Sequence, residues 1–201
     1  MNLYTEQVFE IPFLNNISDS LSMANAELQL YLDVLHDNDT CDPFTIKHLI
    51  INLSACMELL IKFRLLEEHW GFIFDDVNKA NQENIYSGDF LSVSFSKGIE
   101  RLLKLCGINK QKYFSASQKL YKYRNRAVHF TLNDDFKSIV VTILGSISEV
   151  VNFSRDEIIP HIQNDDAVTD INHELDNLLS LQIDLRATLT QLSPKTNLDL
   201  V

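Results

Sequence analysis

Residues Asp42 to Trp70 read DPFTIKHLIINLSACMELLIKFRLLEEHW and predict the central helix of a helical protein. Asp42 is a suitable N-cap, because its carboxylate can accept hydrogen bonds from the first backbone N–H groups, and Pro43 suits the first helical position. Apolar residues lie around much of the girth of this helix, which is typical of a helix packed on several sides. They are Ile46, Leu49, Ile50, Leu53, Cys56, Met57, Leu60, Ile61 and Leu65. Gly71 is expected to end the helix.

Helical periodicity extends from this segment in both directions. We expect a first helix from about Ser18 to His36, and a short one from about Ser94 to Leu105. Another begins near Ser115, a possible cap, and a long helix runs from Phe136 to about Ile159. Because Gly (5) and Pro (4) are scarce in the 201 residues, turns are few and the sequence predicts an all-α fold.

We expect one helical domain over residues 1–201, with a core bundle over about 16–160. A further amphipathic helix is expected over about 165–193, with an apolar seam that steps by four and three residues. The seam residues are Ile171, Leu175, Leu178, Gln182, Leu185, Leu189 and Leu192. Two uses of this seam stay open, packing on the bundle or pairing with a second copy.

The stretch Arg124-Asn125-Arg126-Ala127-Val128-His129 carries the candidate chemistry. Arginine can hold a phosphate through a planar set of donors and keeps its charge. Histidine can take and give a proton near neutral pH. The two side chains together suit metal-independent cleavage of RNA, in which one stabilises the phosphate and the other moves protons.

Positive charge is concentrated just before this motif. Between Lys97 and His129, nine cations and one acid, Glu100, give +8, so the rest of the chain carries −19 within a total of −11. Such segregation indicates a site for a polyanion, although a solvated lysine-rich helix face gives the same pattern. The lysines expected to bind RNA are Lys104, Lys112, Lys119 and Lys122.

Aromatic residues flank these cations and could stack on unpaired bases or belong to the core. They are Tyr113, Phe114, Tyr121, Tyr123 and Phe130.

Two other Arg and His pairs have similar spacing. Two glutamates lie between Arg64 and His69. Arg155 and His161 have acidic residues near them in the sequence, and Pro160 directly precedes the histidine. Carboxylates repel a phosphate, so these pairs are expected to be structural.

The motif resembles the Arg-Asn-x-x-x-His motif of the HEPN superfamily, a group of small all-helical proteins of toxin–antitoxin, phage-defence and CRISPR systems. The order of helices over roughly residues 42–159 is also similar. The resemblance implies an up-and-down bundle of four core helices that dimerises, so that two motifs face one cleft and cut RNA without a metal.

By this resemblance Arg124 and His129 are the catalytic pair, and Asn125 orients them. Arg126 would support the phosphate, and Glu58 falls where the family often has an acid. Glu58 would brace Arg124 or His129, with Lys62 one turn along as an equally good partner.

The predicted function is therefore a metal-independent endoribonuclease that acts on single-stranded RNA, as a toxin or phage-defence effector. The alternative is a non-catalytic helical dimer that binds a protein partner, RNA or a nucleotide. No cofactor is expected, since the sequence has neither metal-ligand spacing nor a glycine-rich phosphate loop. Expected partners are RNA, a second copy, and a cognate antitoxin or regulator.

A cytoplasmic location without membrane association is expected from three features. Met1 to Pro12 lacks the pattern of a secretory signal, and the uncharged run Leu49–Met57 is too short to span a bilayer. The three cysteines, Cys41, Cys56 and Cys106, show no paired spacing, and the last two are expected to be buried thiols.

Overall fold

Eight α-helices form the framework of the computed structural model, which describes residues 12–37 and 42–192. Their bounds are α1 Phe13–His36, α2 Pro43–Glu68, α3 Gln82–Ser87, α4 Phe95–Leu105, α5 Lys110–Tyr113, α6 Ser115–His129, α7 Phe136–Phe153 and α8 Asp165–Leu192. Within these ranges the only β-type pairing is an isolated bridge between Phe74 and Ser92. The predicted all-α class is confirmed.

The predicted cap of α2 forms, and α7 is capped in the same way. Asp42 accepts a hydrogen bond from the backbone N–H of Phe44 at 3.0 Å, and Asp135 accepts one from Ser138 at 2.8 Å. The end of α2 differs from the prediction, because the helix stops at Glu68 and Gly71 lies inside a following 3₁₀ turn, Trp70–Ile73.

Two other helix bounds also differ. α1 begins at Phe13, five residues before the expected start. α7 continues into a π-helical segment, Ser154–Ile158, and a 3₁₀ turn, Ile159–His161, before the chain leaves the bundle.

The five long helices alternate in direction as an up-and-down bundle. The ring of Phe13 at the start of α1 lies 6.2 Å from that of Phe63 near the end of α2, so these helices are antiparallel. α6 packs on α2 and α7, and α7 begins beside the end of α1, where the rings of Tyr31 and Phe136 are 6.4 Å apart. One end of the bundle therefore gathers the start of α2, the end of α6 and the start of α7.

α8 uses its apolar seam within the chain, against α1 and α7. Ile171, Leu175, Leu178 and Leu185 are buried. The polar seam residue, Gln182, donates from Nε2 to the carbonyl oxygen of Leu144 at 2.6 Å and to Ser148 Oγ at 2.7 Å. Of the two open uses of the seam, the structure therefore selects packing on the bundle.

One helical segment, Phe136–His161, is long and apolar enough to cross a membrane by length and composition alone. Most of its apolar window is buried inside the bundle, as expected for the core helix of a folded domain. The shorter uncharged run Leu49–Met57 lies in α2 and does not overlap this segment.

The described cysteines differ in burial. Cys56 is fully buried, and burial raises its thiol pKa to about 12. Cys106 is only half-buried, contrary to expectation, and desolvation raises its pKa to about 11. Cys41 lies outside the described residues.

Candidate nucleic-acid interface on α6

The N-terminal end of α6 is held by a buried carboxylate from α7. Glu149 is 7% exposed, and its two oxygens accept hydrogen bonds from the backbone N–H groups of Ala116 and Ser117 at 2.8 and 2.7 Å. A negative charge is stabilising here, because a helix N-terminus carries unpaired N–H groups and the positive end of the macrodipole. Ser115 begins the helix but its side chain does not cap it. Glu149 therefore provides the capping hydrogen bonds that the sequence suggested for Ser115.

The same two helices approach closely at Gly145 of α7. A Cβ added at Gly145 would lie 2.8 Å from the Cβ of Ala116, closer than two carbon atoms pack. The missing side chain lets the backbones approach, and this end of α6 is fixed against α7.

From this fixed end α6 runs without a break to His129. At about 100° per residue, Lys119, Lys122, Arg126 and His129 fall within about 80° of one another around the axis. All four residues are exposed. Arg126 and His129, three residues apart, are neighbours on this surface. We call these four residues the α6 cationic face.

Arg124 lies on the other side of α6, about 140° from His129. It is half-buried, and Nη1 donates to Oδ1 of Asn125 at 3.0 Å. Its guanidinium carbon lies 5.8 Å from the ring centre of Tyr121, which stacks on Phe95 of α4 at 4.2 Å. Because the helix is unbroken, the predicted catalytic pair does not converge within one chain.

Glu58 belongs to the surroundings of Arg124 but has another partner. Its Oε1 lies 2.7 Å from Nζ of Lys62, one turn along α2, so the structure selects the local ion pair. Burial raises the pKa of Tyr121, the Glu58 carboxylate raises it further, and Arg124 lowers it. Glu58 and Arg124 therefore both lie near the ring of Tyr121.

Two members of the cationic face have polar contacts with the start of α7 and the loop before it. Arg126 Nη1 donates to Oδ2 of Asp134 at 3.2 Å, and Lys119 Nζ donates to Oγ of Ser138 at 2.8 Å. The side chains of Arg126 and Asp134 are 43% and 33% exposed, so this ion pair is weak. Arg126 Nη2 also donates to the backbone carbonyl oxygen of Asn133, so a phosphate would have to replace both contacts. Lys122 is exposed to solvent.

Two of the lysines predicted to bind RNA are paired with carboxylates elsewhere. Lys104 on α4 lies 2.5 Å from Oε1 of Glu100, and Lys112 on α5 lies 2.8 Å from Oδ2 of Asp156. A phosphate would have to displace a carboxylate from each of these two lysines, whereas Lys119 donates to the neutral hydroxyl of Ser138, so Lys119 and Lys122 are the better candidates of the four.

Two further cations of the positive segment hold the long connection between α2 and α4. Arg101 donates to the backbone carbonyl oxygens of Phe72, Phe74 and Asp75, and Lys97 donates to the Asp75 carboxylate at 3.0 Å. Much of the net charge of +8 on residues 97–129 is therefore paired with carboxylates or carbonyl oxygens in the folded chain.

The competing Arg and His pairs have negative surroundings, as the sequence indicates. Arg64 is 7% exposed, with Nη1 2.6 Å from Glu68 and Nε 3.6 Å from Glu157. Arg155 forms an ion pair with Asp176 on α8. These arginines connect helices to one another.

The flanking aromatic residues divide by burial. Tyr113, Phe114 and Tyr123 are buried in the core, and Tyr121 is half-buried. Phe130, directly after His129, is 89% exposed. It is the one member of the five that could stack on a base.

Two exposed aromatic rings near Phe130 were missed at the sequence level. Phe44 is 60% exposed and Phe136 is 51% exposed, each in the first turn of its helix at the same end of the bundle. Their position in the first turn after a capping aspartate was the available signal, because first-turn side chains often lie outside the packed part of a helix.

In the part of the chain that the structure describes, no three His, Cys, Asp or Glu side chains are grouped so that they could hold a metal ion. Comparisons of the chain with protein-family models, curated proteins and solved structures found no match. The function of this chain is therefore inferred from its own residues.

Proposed function

We propose that this chain is a metal-independent endoribonuclease of the HEPN type that acts on single-stranded RNA in the cytoplasm. The observation that supports it most is the α6 cationic face, where exposed Arg126 and Lys122 flank an exposed His129 on one side of a rigid helix. A phosphate on this face would meet a guanidinium and an imidazole together.

The reaction we propose is transesterification within the RNA. The 2′-hydroxyl oxygen attacks the phosphorus, and the bond to the 5′ oxygen of the next nucleotide breaks, leaving a 2′,3′-cyclic phosphate and a 5′-hydroxyl. One group takes the proton of the 2′-hydroxyl and another gives a proton to the leaving oxygen. His129 performs one of these transfers, while Arg126 stabilises the charge that develops on the phosphate oxygens.

A second copy would complete this site. The resemblance to HEPN proteins implies a homodimer with two motifs in one cleft, and such a dimer supplies a second His129 for the other proton transfer. It would also bring Arg124 of each chain near the His129 of the other, which a single chain does not do. A cognate antitoxin or regulator would act by covering this cleft.

The test is incubation of the purified protein with unstructured RNA in the presence of a chelator. We expect fragments that end in 2′,3′-cyclic phosphate, and a rate lower by about 10²- to 10⁴-fold for His129→Ala. Because His129 is exposed at the end of a helix, circular dichroism should show an unchanged fold. His161→Ala is the matched control and should cut as the parent does.

The contrary result is equally clear. Intact RNA under these conditions would reject the enzyme, and loss of cutting in His161→Ala but not in His129→Ala would show that the wrong motif was chosen.

A non-catalytic helical dimer is the second candidate, and the separation of Arg124 from His129 around α6 favours it. The −19 charge outside residues 97–129 also suits a surface that binds a basic partner. RNA that binds with a steep salt dependence and stays intact would support this candidate.

A further inference from the structure

An apolar groove opens at the end of the bundle where α6 ends. It has a volume of about 570 Å³ and lies between the start of α2, the end of α6 and the start of α7. Its lining includes Phe44, Lys47, Phe130, Leu132 and Phe136. This volume falls within the range of roughly 300–1,000 Å³ typical of small-molecule sites.

We propose that this groove binds one unpaired base of single-stranded RNA, next to the phosphate held by the α6 cationic face. The proposal rests on the proposed function and adds to it the subsite that receives a base. Phe130 is the next residue after His129, so a base against its ring lies about one nucleotide from the scissile phosphate.

The burial pattern supports an aromatic ligand. Phe44, Phe130 and Phe136 are 60%, 89% and 51% exposed, whereas most large apolar residues of the chain are in the core. Each base has a flat apolar face, and stacking on aromatic side chains is the usual way in which proteins hold single-stranded nucleic acid without reading its sequence.

The charges around the groove favour a nucleotide over a purely apolar occupant. Lys47 lines the groove, with its ammonium 5.7 Å from the ring centre of Phe44, and Phe130, which also lines it, directly follows His129 at the end of α6. Asp42 and Asp135 also lie at this end, but each accepts a hydrogen bond from a backbone N–H at the start of a helix. A base with its attached phosphate therefore matches both the apolar floor and the cationic border.

The test compares two short single-stranded oligonucleotides of equal length, one of 2′-O-methyl uridine and one of abasic 2′-O-methyl sugar phosphates. Both have the same number of phosphates, and neither can be cleaved, because each lacks the attacking 2′-hydroxyl. We expect the parent protein to bind the base-bearing strand more tightly. Phe130→Ala should lower that affinity by roughly 5- to 150-fold and leave the abasic strand unaffected.

Two further variants make the result specific. Phe130→Trp should retain the preference for bases, since tryptophan also stacks. Tyr86→Ala removes a ring that is 91% exposed on α3, away from the groove, and should change neither affinity.

The contrary outcomes are distinct. Equal binding of both strands by a parent protein that cuts RNA would overturn the base subsite and leave the enzyme intact. Binding of neither strand would reject the proposed function together with the subsite. A Phe130→Ala variant that loses self-association in sedimentation, with unchanged preference for bases, would assign the groove to a second copy of the chain.

Discussion

The two ends of α6 differ in burial and in how their polar groups are paired. At the N-terminal end, backbone N–H groups are paired with the buried Glu149, and Gly145 lets α7 approach closely. At the C-terminal end, Arg126, His129 and Phe130 are exposed, and the ion pair of Arg126 with Asp134 is exposed as well. A rigid helix held at one end can present reactive groups at the other without loss of position.

This difference implies a separation of effects. Substitutions at the exposed C-terminal end of α6, the open end, should change activity and leave stability nearly unchanged, because exposed side chains contribute little to folding. Substitutions at the fixed end should lower the free energy of unfolding, and should affect activity only through loss of the folded protein.

The largest expected effect is at the open end. Arg126→Ala should lower the rate of RNA cleavage by about 10²- to 10³-fold, the usual cost of losing an oriented donor to a developing negative charge. The free energy of unfolding should change by less than about 1 kcal/mol, since the ion pair with Asp134 is exposed. Single-turnover kinetics and urea unfolding of the same preparation measure both quantities.

Arg124→Ala is the matched variant for that measurement, since it lies on the opposite side of the same helix. A loss in Arg124→Ala that mixing with Arg126→Ala chains restores would show that Arg124 acts in a site shared with a second copy. A loss in Arg124→Ala with full activity in Arg126→Ala would contradict the role given to the cationic face.

The fixed end should show the reverse pattern. Glu149→Ala leaves two N–H groups of α6 without their charged acceptor, and we expect a loss of about 3 kcal/mol in the free energy of unfolding. Glu67→Ala, at an exposed position on α2, is the control and should cost less than about 0.5 kcal/mol. Equal losses in the two variants would show that Glu149 does not hold α6.

A smaller loss is expected where the helices approach most closely. Gly145→Ala places a methyl group 2.8 Å from Ala116 and should cost about 1–3 kcal/mol, as overpacking usually does. The double variant with Ala116→Gly should recover part of this loss in thermal unfolding. Failure of the second change to recover any stability would locate the strain elsewhere.

The smallest effect concerns pH at the fixed end. Asp156 accepts hydrogen bonds from Lys112 and from the hydroxyl of Tyr113, and these contacts lower its pKa below the ordinary value of 3.8. A lowered pKa in the folded state stabilises the protein above the unfolded value, and this contribution is lost as the pH falls through the folded value.

Thermal unfolding should therefore lose stability below about pH 3.8, and less so in Asp156→Asn than in the parent. Identical acid profiles in the two proteins would show that the contact between α5 and Asp156 contributes nothing.

Local signals in the sequence predicted much of the fold correctly. The cap at Asp42 forms as expected, because a cap depends only on residues within one helical turn. The seam of α8 was visible in its spacing, yet whether it faced the bundle or a second copy depended on α1 and α7. The ion pair of Lys104 with Glu100, four residues apart, could have been read from sequence.

The candidate site was only partly visible in the same way. The advance of 100° per residue already places Arg124 and His129 on different sides of a regular helix. A local break in the helix could still have let both side chains contact one phosphate, but α6 is continuous. Lys112 could not be assigned, because its partner Asp156 lies 44 residues away. The aromatic groove joins residues of α2, α6 and α7, so no single stretch of sequence contains it.

Composition and spacing alone were thus enough to specify an all-helical chain with one motif suited to phosphate chemistry. Helical periodicity, caps and motif spacing depend on residues a few positions apart, so the amino-acid sequence shows them directly. Packing between helices distant in sequence decided which cations stay free and which aromatic rings stay exposed. It also decided which face of α6 meets solvent. Burial and charge pairing depend on neighbours in space, and only the folded chain brings those neighbours together.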